Sequence, residues 1–138
     1  MFERCLYFNA NYLSRVVNKL MNDAYASIGL SAAHAYLLRL VLDNPGLLQK
    51  EIGSMLHLEK STITRFINKM VDEGYLIRKP SIIDEIKYQH IYPTAQALKI
   101  KNELDAIGNS VYKQMTDAIS SDEFVNIVDK IRTVTQKL

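Results

Sequence analysis

A chain of 138 residues can bury about two-thirds of its unfolded surface, so it folds as one unit without help from a disulfide or a metal. Its net charge of +2 makes no global case for a nucleic-acid binder, and a single cysteine, Cys5, excludes an internal disulfide and a multi-cysteine zinc site. Apolar runs last only a few residues, against roughly 20 for a bilayer span, and nothing at the N-terminus resembles a leader; the expectation is a cytoplasmic protein with no membrane segment.

Five glycines and three prolines point to long helices and few loops. Phe2 to Ala26 reads as the first helix, with Leu6, Leu13, Val16, Val17, Leu20, Met21 and Ala24 recurring at helical spacing. Phe2, Cys5, Tyr7, Phe8, Tyr12 and Tyr25 widen that apolar surface, as burial at a subunit interface would require. Gly29 is expected to end the helix, and Ser31 to cap a second one, Ala32–Leu42, whose core positions are Tyr36, Leu37, Leu40 and Val41. Asn44-Pro45-Gly46 breaks the chain.

The stretch Leu47–Gly74 organises the rest. Gln49–Leu56 and Ser61–Glu73 are two amphipathic segments joined by the short break His57-Leu58-Glu59-Lys60. The second buries Ile63, Phe66, Ile67, Met70 and Val71, and its outer face carries Ser61, Thr62, Thr64, Arg65, Asn68 and Lys69. A helix-turn-helix sends such a face into the DNA major groove. From Lys60 to Lys79 the net charge is +3, more than that of the whole chain, although a solvated helix face would carry the same pattern. Two strands, Tyr75–Lys79 and Lys87–Tyr92, follow, separated by a loop over Pro80–Ile86 that is longer than a tight hairpin needs. Pro93-Thr94 opens a long helix, Ala95–Ile119, in which Gly108 invites a bend. Ser121 is expected to cap the last helix, Asp122–Gln136. The predicted class is mainly α with a small β-hairpin wing (α+β): a winged helix-turn-helix lobe over residues 31–93, with helices over 1–28 and 94–138 available for dimerisation.

Ser61-Thr62-Ile63-Thr64-Arg65, Glu73-Gly74 and Leu76-Ile77-Arg78, within Leu48–Pro80, resemble the MarR family of transcriptional regulators, and Gly29-Leu30-Ser31 fits as well. The resemblance implies a homodimer that binds double-stranded DNA at a palindromic operator, as a ligand-responsive repressor. Ser61, Thr62, Thr64 and Arg65 match the groove-facing positions, and arginine is suited to guanine O6 and N7. Lys60, Asn68 and Lys69 would meet phosphates, with Arg78, Lys79 and Lys87 as further backbone or wing contacts. The alternative for Arg65 is an ion pair with Asp72 or Glu73. Two positions depart from the family pattern. Asp84-Glu85-Ile86-Lys87 puts isoleucine where a wing arginine is expected, and Gln96 stands in place of a glycine.

The same resemblance implies an effector, a small aromatic or anionic molecule, with Tyr7, Tyr12, Arg15, His34 and Tyr36 as candidate lining residues and Arg39 as a second anion partner. Aromatic packing at a helix junction is the commoner explanation for each of them. A related subgroup senses peroxides through a first-helix cysteine, which makes Cys5 a redox candidate, though it aligns two residues away. His34, His57 and His90 are scattered and show no metal-ligand spacing, so neither a metal nor another cofactor is expected, and no catalytic set is present. The competing class is a winged-helix module that binds a protein and has little DNA affinity, motivated by the acidic Asp84-Glu85.

Overall fold

A computed structural model describes residues 1–138 as six helices and three strands. A single 3-10 turn, Phe2–Arg4, precedes α1 (Leu6–Tyr25), and a second, Ala26–Ile28, follows it. Gly29 then takes the left-handed conformation (φ 74°), which glycine adopts at no steric cost, and the chain reverses into α2 (Ala32–Asp43). Ser31 caps α2 by accepting a hydrogen bond from the His34 backbone N–H. The two-residue strand β1 (Leu47–Leu48) leads into α3 (Gln49–Met55), the turn, and α4 (Lys60–Asp72). β2 (Leu76–Ile83), β3 (Ile86–Pro93), α5 (Ala95–Ala118) and α6 (Ser121–Lys137) complete the chain.

The sheet is antiparallel in the order β1-β3-β2, with Leu47 opposite Ile91 and Arg78 also opposite Ile91 from the other side. It corrects the wing in two ways. The expected Pro80–Ile86 loop is strand almost throughout, and the hairpin closes on Asp84 and Glu85 alone, both at positive φ. Pro80 is tolerated because β2 is an edge strand, where a missing donor need not break the ladder. The strand β1 was not expected from sequence; two residues carry no periodicity to read.

Seventeen apolar residues form one continuous core, from Met21 and Tyr25 of α1, through α2, α3, α4 and the sheet, to Leu104 and Val111 of α5. Because α2 packs against α1, α4, α5 and β3 together, it buries more than one stripe. Ala35, Leu38 and Leu42 are buried with Leu37 and Val41, whereas the expected core residue Tyr36 is 45% exposed. Gly108 is explained by packing: a Cβ there would overlap the guanidinium of Arg39, which lies between α2 and α5. The α6 cap also moves by one residue. Ser120, not Ser121, accepts from the Glu123 backbone N–H, and its hydroxyl donates to the Glu123 carboxylate, so a glutamate does occupy the third helical position. No single helix is long and apolar enough to cross a membrane.

Candidate nucleic-acid interface

The turn between α3 and α4 is built from backbone geometry and one close approach. His57 adopts positive φ, and the Leu58 N–H donates to the Gly53 carbonyl at 2.9 Å, closing the end of α3. Gly53 is buried, with Ile63 close enough that a Cβ would sit 3.4 Å from its side chain, so α3 and α4 cross tightly. Beneath α4, Ile63, Ile67 and Met70 are buried. Its far end is tied down as well: the Gln96 side-chain amide donates to the Glu73 carbonyl, and the Thr94 hydroxyl to that of Gly74. Gln96 therefore ties the end of α4 to α5.

The outward face of α4 divides into two rows at four-residue spacing. Ser61, Arg65 and Lys69 form the free row; all three are exposed, and none makes a side-chain hydrogen bond or ion pair. Arg65 does not pair with Asp72 or Glu73; its guanidinium lies 5.8 Å from the centre of the Phe66 ring. Lys60, Thr64 and Asn68 form the second row, in which the side chains of Thr64 and Asn68 are tethered. The Thr64 hydroxyl donates to the Lys60 carbonyl (2.8 Å) and accepts from the Gln49 amide (2.9 Å). Arg78, from β2, donates through Nε to the Gln49 side-chain oxygen Oε1 (3.5 Å) and through Nη2 to the Asn68 side-chain oxygen Oδ1 (2.5 Å). Thr64 is therefore a bracing residue whose only donor is spent inside the lobe, and Thr62 is half-buried.

Between α3, the turn and the wing runs a cleft of about 1100 Å³, lined by Gln49, Lys50, Ser54, His57, Lys60 and Lys87 among others. Lys60 and Lys87 thus border the same cleft, together with Lys50, which sequence reasoning passed over. Lys79 is directed elsewhere: its ammonium sits 4.7 Å above the Tyr92 ring, at the base of the sheet. At the tip of the wing Ile82, Ile83 and Ile86 are exposed around Asp84 and Glu85.

The residues proposed to line an effector pocket are not brought together within one chain. Tyr7 (80% exposed), Tyr12 and Arg15 lie on the outer surface of α1. His34 faces α4, its ring 4.6 Å from that of Phe66 and its Nδ1 2.5 Å from the Ser31 hydroxyl. Burial, with the positive charges of Lys69 and Arg65, holds the imidazole below its usual range, while Glu73 acts in the opposite sense. Tyr36 points the other way, edge-on to Tyr25, and its hydroxyl is pushed up by burial. Arg39 sits there, 5.8 Å from the centre of the Tyr36 ring, 3.4 Å from Asp105 and 3.4 Å from the Tyr25 hydroxyl. The two residues diverge because α2 is packed on both sides. Cys5 is half-buried at the N-cap of α1.

The family model described as MarR family matches residues 28–84, the segment that holds α2, the helix-turn-helix and β2. The HTH-type transcriptional regulator SarZ of Staphylococcus epidermidis is 27% identical over 124 residues, 90% of this chain and 82% of that protein. Among solved structures, a MarR protein from Peptoclostridium difficile superposes with a TM-score of 0.77 at 26% identity, covering 94% of this chain and 83% of the other. The PcaV transcriptional regulator from Streptomyces coelicolor, in complex with its natural ligand, superposes with a TM-score of 0.85 at 18% identity, covering 99% and 95%.

Proposed function

We propose, proceeding from the chain's membership of the MarR family of DNA-binding transcriptional regulators, that it acts as a homodimeric, ligand-responsive repressor on an imperfect palindrome. The observation that carries this reading is the pairing of a free, basic recognition row with an apolar surface that one chain leaves bare. Ser61, Arg65 and Lys69 meet no protein partner. On α6, Ile127, Val128, Ile131 and Val134 share one face, and no residue of that helix is buried; on α1, Leu6, Leu13 and Val16 are equally uncovered. A helix is amphipathic because its apolar stripe is covered in the working state, and a second copy covers both.

In this reading each α4 enters one major groove, with Ser61 and Arg65 at the base edges and Lys60, Lys69 and Lys87 on phosphates. Two half-sites about one helical turn apart match the two-fold symmetry. The ligand-bound structural relative supports an effector, and the half-exposed Tyr36 ring beside Arg39, itself paired with Asp105, is the place in one chain where a ring and a cation of the candidate set meet. The test is a selection on random duplexes with the full chain, followed by measurement of the mass of the complex. Two chains per selected duplex, with affinity that falls steeply as salt rises, is the expected result. One chain per duplex contradicts the homodimer, and no enrichment at low salt contradicts DNA binding and favours the protein-binding module.

A further inference from the structure

We infer that Arg78 sets the base preference of the recognition helix by turning the Asn68 oxygen towards β2 and presenting the amide hydrogens to guanine; the inference rests on the DNA-binding reading above. The argument follows the direction of each hydrogen bond. A guanidinium has donors and no acceptor, so the Asn68 and Gln49 atoms that face Arg78 are their side-chain oxygens. The Gln49 amide nitrogen is thereby turned towards Thr64, whose hydroxyl accepts from it and donates to the Lys60 carbonyl. The chain of bonds is consistent only in that sense. Asn68 is left with its oxygen engaged and its two amide hydrogens unpartnered on an exposed side chain.

Free asparagine reads adenine, accepting from N6 and donating to N7. In Asn68 the bond from Arg78 engages one of the oxygen's two lone pairs and turns that oxygen towards β2, which leaves the amide hydrogens as the group presented outward. Guanine presents two acceptors, N7 and O6, and suits a pair of donors; adenine sets its N6 donor against them. Asn68 lies seven residues beyond Ser61 and three beyond Arg65, on the same helical face, so it is placed to meet a base edge, not only a phosphate. Arg78 acts through Asn68 and is a positioning residue.

The experiment is a selection on random duplexes with the wild-type chain and with Asn68→Ala, Arg78→Met and Arg78→Lys. A G·C pair is expected at one position per half-site, and Asn68→Ala should flatten that position. Arg78→Met, which has no donor, frees the Asn68 oxygen and should enrich A·T there about tenfold over the wild type, within the range of one bidentate base contact. Arg78→Lys, again donor-only, should retain G·C. An A·T pair in the wild-type selection at the position Asn68→Ala flattens overturns the inference. So does an Asn68→Ala selection identical to the wild type, or an unchanged preference in Arg78→Met. Asn68 is exposed, so its variant does not depend on refolding a core. If the wild-type chain enriches no duplex at all, the DNA-binding reading falls, and this inference with it.

Discussion

The recognition helix and the tip of the wing are both exposed and polar, yet they are held in opposite ways. α4 is fixed on several sides: by Ile63, Ile67 and Met70 beneath, by Gln49 and Arg78 along one flank, and by Gln96 at its end. What remains free on it is a short basic row. The tip of the wing is held by the strand ladder alone. Ile82 is 74% exposed, and Asp84 and Glu85 stand at φ 50° and 66°, in a region that disfavours residues other than glycine. The comparison teaches that the surface proposed to read DNA is the one whose side chains are braced by a second layer of contacts. The wing keeps its backbone shape but neither a charged tip suited to phosphate nor a relaxed turn.

Removing the support of α4 should have the largest effect. Ile67 is fully buried, and Ile67→Ala should destabilise the fold by about 2–5 kcal/mol in chemical denaturation. The converse change tests the wing. Ile86→Arg should strengthen DNA binding and steepen the dependence of log K on log salt by about 0.9, the increment of one phosphate contact. An unchanged slope would show that the tip does not reach the duplex. Smaller still is Glu85→Gly, which relieves the positive φ and should raise stability by about 1 kcal/mol, seen as a higher melting temperature.

A pH effect should be seated where α2 packs against α4. His34 has a native pKa below the unfolded value, so the unfolded chain binds the proton first as pH falls. The stability it contributes is full above about pH 6.5 and declines below that as pH approaches the depressed native value. His34→Gln should flatten this part of the pH–stability profile. A profile identical to that of the parent would remove His34 as its source.

Most of the fold was legible because its helices carry strong periodicity and marked ends, as at Ser31, Asn44-Pro45-Gly46 and Gly74. The wing was misread at Pro80, because a proline in a strand is harmless at a sheet edge and sequence does not say which strand is the edge. The free row of α4 could be read from spacing alone. Its tethered row could not: Arg78 lies ten residues from Asn68 and 29 from Gln49, and only the register of β2 brings the three together. The effector candidates met a similar obstacle. His34 and Tyr36 are two apart in sequence, and on a helix packed on both sides that sends them to different neighbours.

The measurement that bears most directly on the central claim compares the wild type and Arg65→Ala on the selected operator and on a scrambled duplex at equal salt. The recognition row predicts a loss of about 1–3 kcal/mol on the operator, relaxed preference at one base pair and little change on the scrambled duplex. Equal affinity and selectivity for both proteins would contradict the assignment of α4 as the reading element.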